Sequence, residues 1–257
     1  MNNIKIKNLW ENNKSVLNGW LMLESSLTAE IMSHQGYDSL TIDMQHGLIG
    51  YSDLLKILQS IKTSQVSSIV RVPWLDPGII MKSLDAGANA IICPMINNRN
   101  EAEKFISSMR YPPMGMRSFG PTRQNILNSN YYETANSEVS AIAMIETQQA
   151  MENLDDIIST PGLDAVYIGP ADLTLGLTQG KLKPGMDREE PEMIDTIKRI
   201  LSTAKKHSVR ACLHCVSSSY AIKAINWGFD LVTLNSDVRL LTSSASKSVE
   251  EFRKGIN

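Results

Sequence analysis

Two short apolar runs in this chain lead into carboxylates. One is Ile142-Ala143-Met144-Ile145-Glu146, the other Ala165-Val166-Tyr167-Ile168-Gly169-Pro170-Ala171-Asp172. Each precedes a helix-patterned segment. In a parallel α/β fold, side chains at the carboxyl ends of neighbouring strands converge on one mouth. Two half-desolvated acids there repel each other unless a cation sits between them, and a divalent metal is the economical partner. Other strand ends add to the same face. Asp43-Met44-Gln45-His46-Gly47 follows a second run, and Arg71 ends a third. The mouth is thus expected to gather one imidazole, one guanidinium and the carboxylates of Asp43, Glu146 and Asp172.

Each of these residues also has a plainer reading. A lone histidine is ordinarily a packed or surface residue, but an acid three positions before His46 suits a base with its orienting partner. Arg71 reads alternatively as a structural ion pair, and Glu146 and Asp172 as caps or salt bridges. Gly169 would let a ligand approach the backbone. Beyond Pro170, the amides of Ala171 and Asp172 would open a helix or turn and take an anion such as a carboxylate; a tight turn without ligand fits the same residues. Cys212-Leu213-His214-Cys215 resembles half a zinc site with no second half, and alternate strand residues point to opposite faces. It reads as core packing, with His214 left to reach the pocket rim. Arg117, Ser118 and Arg123 would either bind the far end of a substrate or bridge subunits. No lysine falls within the expected strands, which disfavours imine chemistry, since a Schiff-base aldolase needs a desolvated lysine at a strand end.

The elements that must position these groups alternate along the chain. Strands are expected near residues 19–23, 40–43, 68–72, 90–94, 141–146, 165–169, 210–214 and 231–235. Their continuous apolarity suits strands buried on both faces. Between them, Leu54, Leu55, Leu58 and Ile61 mark one helix face. Asp76-Pro77 opens another helix that Gly87 closes, and Met193, Ile194, Ile197, Leu201 and Ala204 give a third. A fourth carries Ala221, Ile222 and Ile225 before Gly228. Eight such units fit a (β/α)8 TIM barrel better than an open sheet, with 1–257 as one domain. Residues 111–138 break the pattern. They start with a Pro- and Gly-rich stretch and are expected as a long irregular loop, of the kind that serves as lid, binding loop or interface.

Bulk properties set further bounds. With 257 residues, Lys+Arg 25, Asp+Glu 27 and a net charge of −2, the chain has no basic block for nucleic acid or anionic membrane. No apolar run approaches the roughly 20 residues of a spanning helix, and the stretch 1–14 lacks a signal-peptide core. Cys93, Cys212 and Cys215, odd in number, read as free thiols in a reducing, cytoplasmic setting.

Taken together, the motifs resemble the HpcH/HpaI aldolase family of class II pyruvate-dependent aldolases, which includes 4-hydroxy-2-oxoheptanedioate aldolase. The matching stretches are Ile42-Asp43-Met44-Gln45-His46-Gly47, Val70-Arg71-Val72-Pro73-Trp74, Leu84-Asp85-Ala86-Gly87-Ala88, Cys93-Pro94-Met95, Tyr111-Pro112-Pro113 with Gly115 and Arg117, Ile145-Glu146, and Gly169-Pro170-Ala171-Asp172-Leu173. They run in the family's order through nearly the whole chain. The resemblance implies a barrel of the phosphoenolpyruvate/pyruvate type in which Glu146 and Asp172 hold Mg2+, Mn2+ or Co2+. The reaction it implies is reversible retro-aldol cleavage of a 4-hydroxy-2-keto acid to pyruvate and an aldehyde through a metal-bound pyruvate enolate. Arg71 would contact the keto oxygen and the amides near Ala171 the carboxylate. His46 would act as base with a metal-bound water, oriented by Asp43, and Asp85 would reach a neighbouring active site in a hexamer built as a dimer of trimers. Gln45 and Met144 depart from the family's usual glutamate and glutamine, removing a charge near the base and a polar group near pyruvate. Rival readings are a citrate-lyase-type or phosphoenolpyruvate-type metal-enolate enzyme and a non-catalytic pyruvate-binding hexamer.

Overall fold

Eight parallel strands close on themselves in chain order, with the last pairing back to the first. They are β1 (Val16–Leu21), β2 (Ser39–Asp43), β3 (Ser67–Arg71), β4 (Ala90–Cys93), β5 (Ser140–Ile145), β6 (Ala165–Ile168), β7 (Arg210–Cys215) and β8 (Leu231–Ser236). The structure is a computed structural model and describes residues 5–256; the first four residues of the polar amino-terminal stretch, and Asn257, lie outside it. The helices are α1 (Ile6–Glu11), α2 (Ser26–Ser33), α3 (Tyr51–Ser60), α4 (Pro77–Ala86), α5 (Arg99–Met109), α6 (Thr122–Leu127) and α7 (Tyr131–Glu138). After β5 come α8 (Gln148–Glu152), α9 (Leu154–Ile158), α10 (Pro170–Thr178), α11 (Pro191–Lys206), α12 (Ser218–Trp227) and α13 (Asp237–Gly255). This is a (β/α)8 TIM barrel.

The expected strands stand within a few residues of these bounds, because runs buried on both faces leave little doubt about which residues are interior. Their two-residue alternation splits the core. Trp20, Ile69, Ile142, Met144, Tyr167 and Cys212 pack together inside the barrel with Ile6 and Trp10 of α1. Leu40, Ile42, Val70, Ile91, Ala143 and Leu213 face the helices instead. The α1 helix closes the amino end of the barrel, where the Trp10 indole N–H donates to the Asp230 carbonyl and Arg210 Nη2 donates to the Trp10 carbonyl. Side chains at the opposite end are left to form the mouth.

Local chemistry sets the helix limits. Asp76 accepts a hydrogen bond from the Gly78 N–H ahead of Pro77, a cap followed by a first-turn proline. The α4 helix stops at Gly87, whose φ of +121° suits glycine, and a Cβ there would also strike the Arg123 guanidinium. In α11 the buried face is Met193, Ile197, Ile200, Leu201 and Ala204.

The interval 111–138 is a correction to the sequence reading. Its Pro- and Gly-rich part is irregular, but α6 and α7 occupy most of the rest. The residues that bar a helix end at Pro121, and 122–138 contains neither proline nor glycine. Cys93, Cys212 and Cys215 are free and buried. Among the described residues no helix is long and apolar enough to cross a membrane.

Candidate active site

Inside the barrel the two-residue alternation carries Thr41 to Asp43, Ile69 to Arg71, Met144 to Glu146, Tyr167 to Gly169 and Cys212 to His214, all at the carboxyl ends of their strands. Glu146 is 2% exposed. Its Oε1 accepts a 2.9 Å hydrogen bond from the Met95 N–H, while its Oε2 is buried without a partner. Burial pushes the Glu146 carboxyl up to about 7, helped by the charge of Asp172 and opposed by the Met95 amide and Arg71. Such a group is an acceptor waiting for a cation or a proton. Asp172, in the first turn of α10, is exposed, so the pair has one dry and one wet member.

Gly169 explains how the two acids share a space. Its φ of −96° is ordinary, but a Cβ there would lie 2.7 Å from Glu146 Oε2 and 2.9 Å from Met144 Cε. Glycine is required by crowding. Pro170 then occupies the first turn of α10, leaving the Ala171 and Asp172 amides at a helix N-terminus, the usual anion-binding geometry.

Asp43 and Arg71 are neighbours in the β2–β3 register. Arg71 Nε donates to Asp43 Oδ1 at 2.8 Å and Arg71 Nη2 to Oδ2 at 2.7 Å, a bidentate buried pair. Burial alone would raise the Asp43 carboxyl, yet the hydrogen bonds and charge of Arg71, with the Gln45 N–H and Trp20 indole, hold it below the usual range. The Arg71 guanidinium also lies 4.8 Å from the Trp20 ring centroid.

This arrangement corrects one expected role. Asp43 reaches His46 only through the backbone, accepting from the Gln45 and His46 N–H groups. Both of its oxygens are taken up by Arg71, so it orients the guanidinium and shapes the turn; among the described hydrogen bonds none joins it to the imidazole. His46 itself is exposed on the loop beyond β2. Asp85 lies in the last turn of α4, towards the amino end of the barrel and away from this mouth. There Arg117 Nη2 donates to Asp85 Oδ1 at 2.7 Å, and Arg117 Nη1 donates to the Tyr131 hydroxyl. Arg123 donates to the Ala86 and Leu58 carbonyls. Within this chain both arginines therefore tie the 111–138 interval to the helices.

Three contributors escaped the sequence reading. Met95 has a left-handed backbone, φ 56°, which aims its amide at Glu146; the Cys93-Pro94-Met95 stretch marked the position in the sequence without giving it this role. Trp20 joins Asp43, Arg71 and His214, because its indole N–H donates to Asp43 Oδ2 at 3.2 Å and its ring sits 4.8 Å from the His214 ring. Tyr167 holds the His214 ring from below, its hydroxyl 3.0 Å from Nδ1.

Among the described residues no group of three or more His, Cys, Asp or Glu could hold a metal ion. The Glu146–Asp172 pair would supply two oxygen ligands and leave the others to water or substrate, the usual manner of Mg2+ in enzymes.

Comparison with known proteins accords with this layout. The family model for HpcH/HpaI aldolase/citrate lyase matches residues 16–243. A hydroxypyruvate/pyruvate aldolase of Rhizorhabdus wittichii is 38% identical over 250 residues, covering 97% of this chain and 98% of that protein. A 5-keto-4-deoxy-D-glucarate aldolase of Salmonella paratyphi A is 31% identical over 238 residues, 91% of each. Among solved structures, an HpcH/HpaI aldolase/citrate lyase family protein of Burkholderia cenocepacia superposes with a TM-score of 0.87 at 28% identity, covering 96% of this chain and 98% of that one. The citrate synthase SbnG gives 0.87 at 27% identity, covering 98% and 99%. The chain belongs to the HpcH/HpaI aldolase/citrate lyase family.

Proposed function

We propose that this protein cleaves a 4-hydroxy-2-keto acid to pyruvate and an aldehyde, and runs the reverse addition, with a divalent cation held by Glu146 and Asp172. The observation that carries this reading is the buried, unpartnered Oε2 of Glu146 beside the Asp172 charge and within the field of Arg71. An orphaned carboxylate oxygen of that kind fits a hard cation, whether Mg2+, Mn2+ or Co2+. When bound, the cation supplies Lewis-acid stabilisation for negative charge on the 2-keto oxygen.

The rest falls to the chain's own residues. Two of the five N–H groups of Arg71 are fixed on Asp43, so the guanidinium is held rigidly and can present another to the 2-oxygen as its charge develops. The Ala171 and Asp172 amides receive the substrate carboxylate. His46, with its ring free of protein hydrogen bonds among the described residues, takes the proton from the 4-hydroxyl as the C3–C4 bond breaks. The electrons of that bond pass to C3–C2 and the 2-oxygen, the aldehyde leaves, and His46 returns its proton to C3 to give the methyl group of pyruvate. Met144, 2% exposed, keeps the floor beside Glu146 apolar.

Pyruvate as one product accords with the name of the Rhizorhabdus relative. The direct test is solvent deuterium exchange into the pyruvate methyl group. Exchange is expected to need Mn2+, to stop with EDTA and to collapse in His46→Ala; exchange indifferent to EDTA would refute the cation. A coupled lactate dehydrogenase screen over 4-hydroxy-2-keto acids would then identify the aldehyde. Metal-dependent pyruvate binding without any exchange would favour the non-catalytic binder.

A homo-oligomer is part of the proposal, and the resemblance specifies a hexamer. Its support is exposed apolar surface on two segments, Leu241 at 63%, Val249 at 59% and Phe252 at 65% on α13, and Phe119 at 61% and Ile126 at 80% between β4 and β5. Asp85 stands beside the second segment, tied to Arg117, which suits the role at a neighbouring subunit that the resemblance gives it.

A further inference from the structure

His214 is a titratable side chain at the mouth to which the mechanism above gives no role. It sits on β7 two residues beyond Cys212, on the barrel-facing side, and is part-exposed where Cys212, Leu213 and Cys215 are buried. A chain of polar groups inside the barrel leads up to it. Ser39 and Thr41 hydroxyls donate to Asn18 Oδ1, at 2.9 and 3.2 Å. That fixes the Asn18 amide so that Nδ2 donates to Thr233 Oγ1 at 2.9 Å. Thr233 Oγ1 lies 2.6 Å from the Tyr167 hydroxyl, and that hydroxyl lies 3.0 Å from His214 Nδ1. One ordering satisfies every donor: Thr233 donates to Tyr167, and Tyr167 donates to Nδ1. The His214 proton then resides on Nε2.

The charge of the ring is settled by its surroundings. Desolvation against Trp20 and Tyr167, together with the Arg71 charge, pushes His214 down to about 3, against smaller pulls from Asp43 and Asp187 and a push from Arg239. A neutral imidazole with Nδ1 occupied from inside has one remaining function, an N–H donor at Nε2. Trp20 measures where that donor stands, because His214 and the Arg71 guanidinium each lie 4.8 Å from its ring. His214 and the Arg71 guanidinium thus stand against the same Trp20 ring, so a substrate whose 2-oxygen meets Arg71 has His214 among the side chains around that ring.

We propose that His214 is a specificity-determining residue that donates from Nε2 to an oxygen on the aldehyde-derived half of the substrate, selecting α-hydroxyaldehydes over their deoxy isosteres. It rests on the aldolase reading, and its physical basis is that a positioned polar donor is left unpaired by a substrate lacking the matching oxygen.

The test compares glycolaldehyde with propanal, equal in size and differing by one hydroxyl, as acceptors for pyruvate in the Mn2+-loaded protein. In His214→Leu the glycolaldehyde/propanal ratio of kcat/KM is expected to fall about tenfold or more. His214→Gln, which keeps a donor, should hold the ratio within about threefold, and Tyr167→Phe should fall between the two. Pyruvate methyl exchange without aldehyde should be the same in all three, showing that each variant is folded and can enolise its substrate. An unchanged ratio in His214→Leu with exchange intact overturns the proposal. Absence of exchange and addition in the wild type instead overturns the aldolase reading, and this proposal with it. A readout independent of activity is the side-chain 15N spectrum, where His214 should show a neutral, Nε2-protonated ring at pH 7. An Nδ1–H tautomer or a doubly protonated ring there would also overturn it.

Discussion

Glu146 has an oxygen with nothing to bind, and that makes the protein's stability depend on pH and metal together. Its carboxyl is raised to about 7 in the folded chain against about 4.3 when unfolded. The folded state holds this proton more tightly, so the metal-free protein is most stable at or below the unfolded value and loses up to about 3 kcal/mol as pH rises to 7. A cation at the pair should cancel the loss, so thermal melts should show Mn2+ raising Tm far more at pH 8 than at pH 5. Glu146→Gln should flatten both dependences. The Asp43–Arg71 pair makes a contrasting claim. Asp43→Ala leaves a guanidinium that is 8% exposed without its anion, at a cost of about 3–5 kcal/mol in urea unfolding. His46→Ala, at an exposed position, should stay within about 0.5 kcal/mol. Both should abolish pyruvate methyl exchange, one by losing the oriented cation and the other by losing the base.

At the scale of elements, the mouth is built by the turns after strands more than by the strands themselves. The left-handed turn at Met95 after β4 supplies a backbone amide to Glu146, and the turn after β6 needs glycine to let that carboxylate in. Gly169→Ala should leave the barrel folded, since its φ suits alanine, yet displace Glu146 Oε2. Manganese affinity, followed by calorimetry or electron paramagnetic resonance, should fall about tenfold or more; an unchanged affinity would show that Oε2 is not a ligand. The β-strands were legible in the residues because apolar-rich runs recur between helix-patterned segments, several of them ending at or beside a charge such as Asp43, Arg71 or Glu146. The α6 and α7 helices were hidden behind the Pro/Gly stretch that precedes them, with only short polar sequences to announce them.

At the scale of the molecule, α13 is a 19-residue helix in which Asp237 is buried and the residues beyond it lie open. Asp237 anchors it by accepting from the Met22 and Leu23 amides. A helix whose apolar positions face water asks for a partner. Light scattering coupled to size exclusion should show an assembly larger than one chain, and Phe252→Asp or Phe119→Asp should reduce its size; a monomeric wild type at micromolar concentration would remove the oligomer from the proposal.

What the amino-acid sequence determined by itself was the eightfold alternation and the position of Asp43, Arg71, Glu146 and Asp172 at the ends of its strand-forming runs. Periodicity and chain order are local properties, and a barrel turns them directly into membership of one mouth. The tertiary structure alone decided which of those groups touch. Asp43 holds Arg71 and not the His46 ring because strand register sets them side by side. Asn18, Tyr167, His214 and Thr233 form one hydrogen-bonded line although they come from β1, β6, β7 and β8, whose side chains meet only once the barrel has closed.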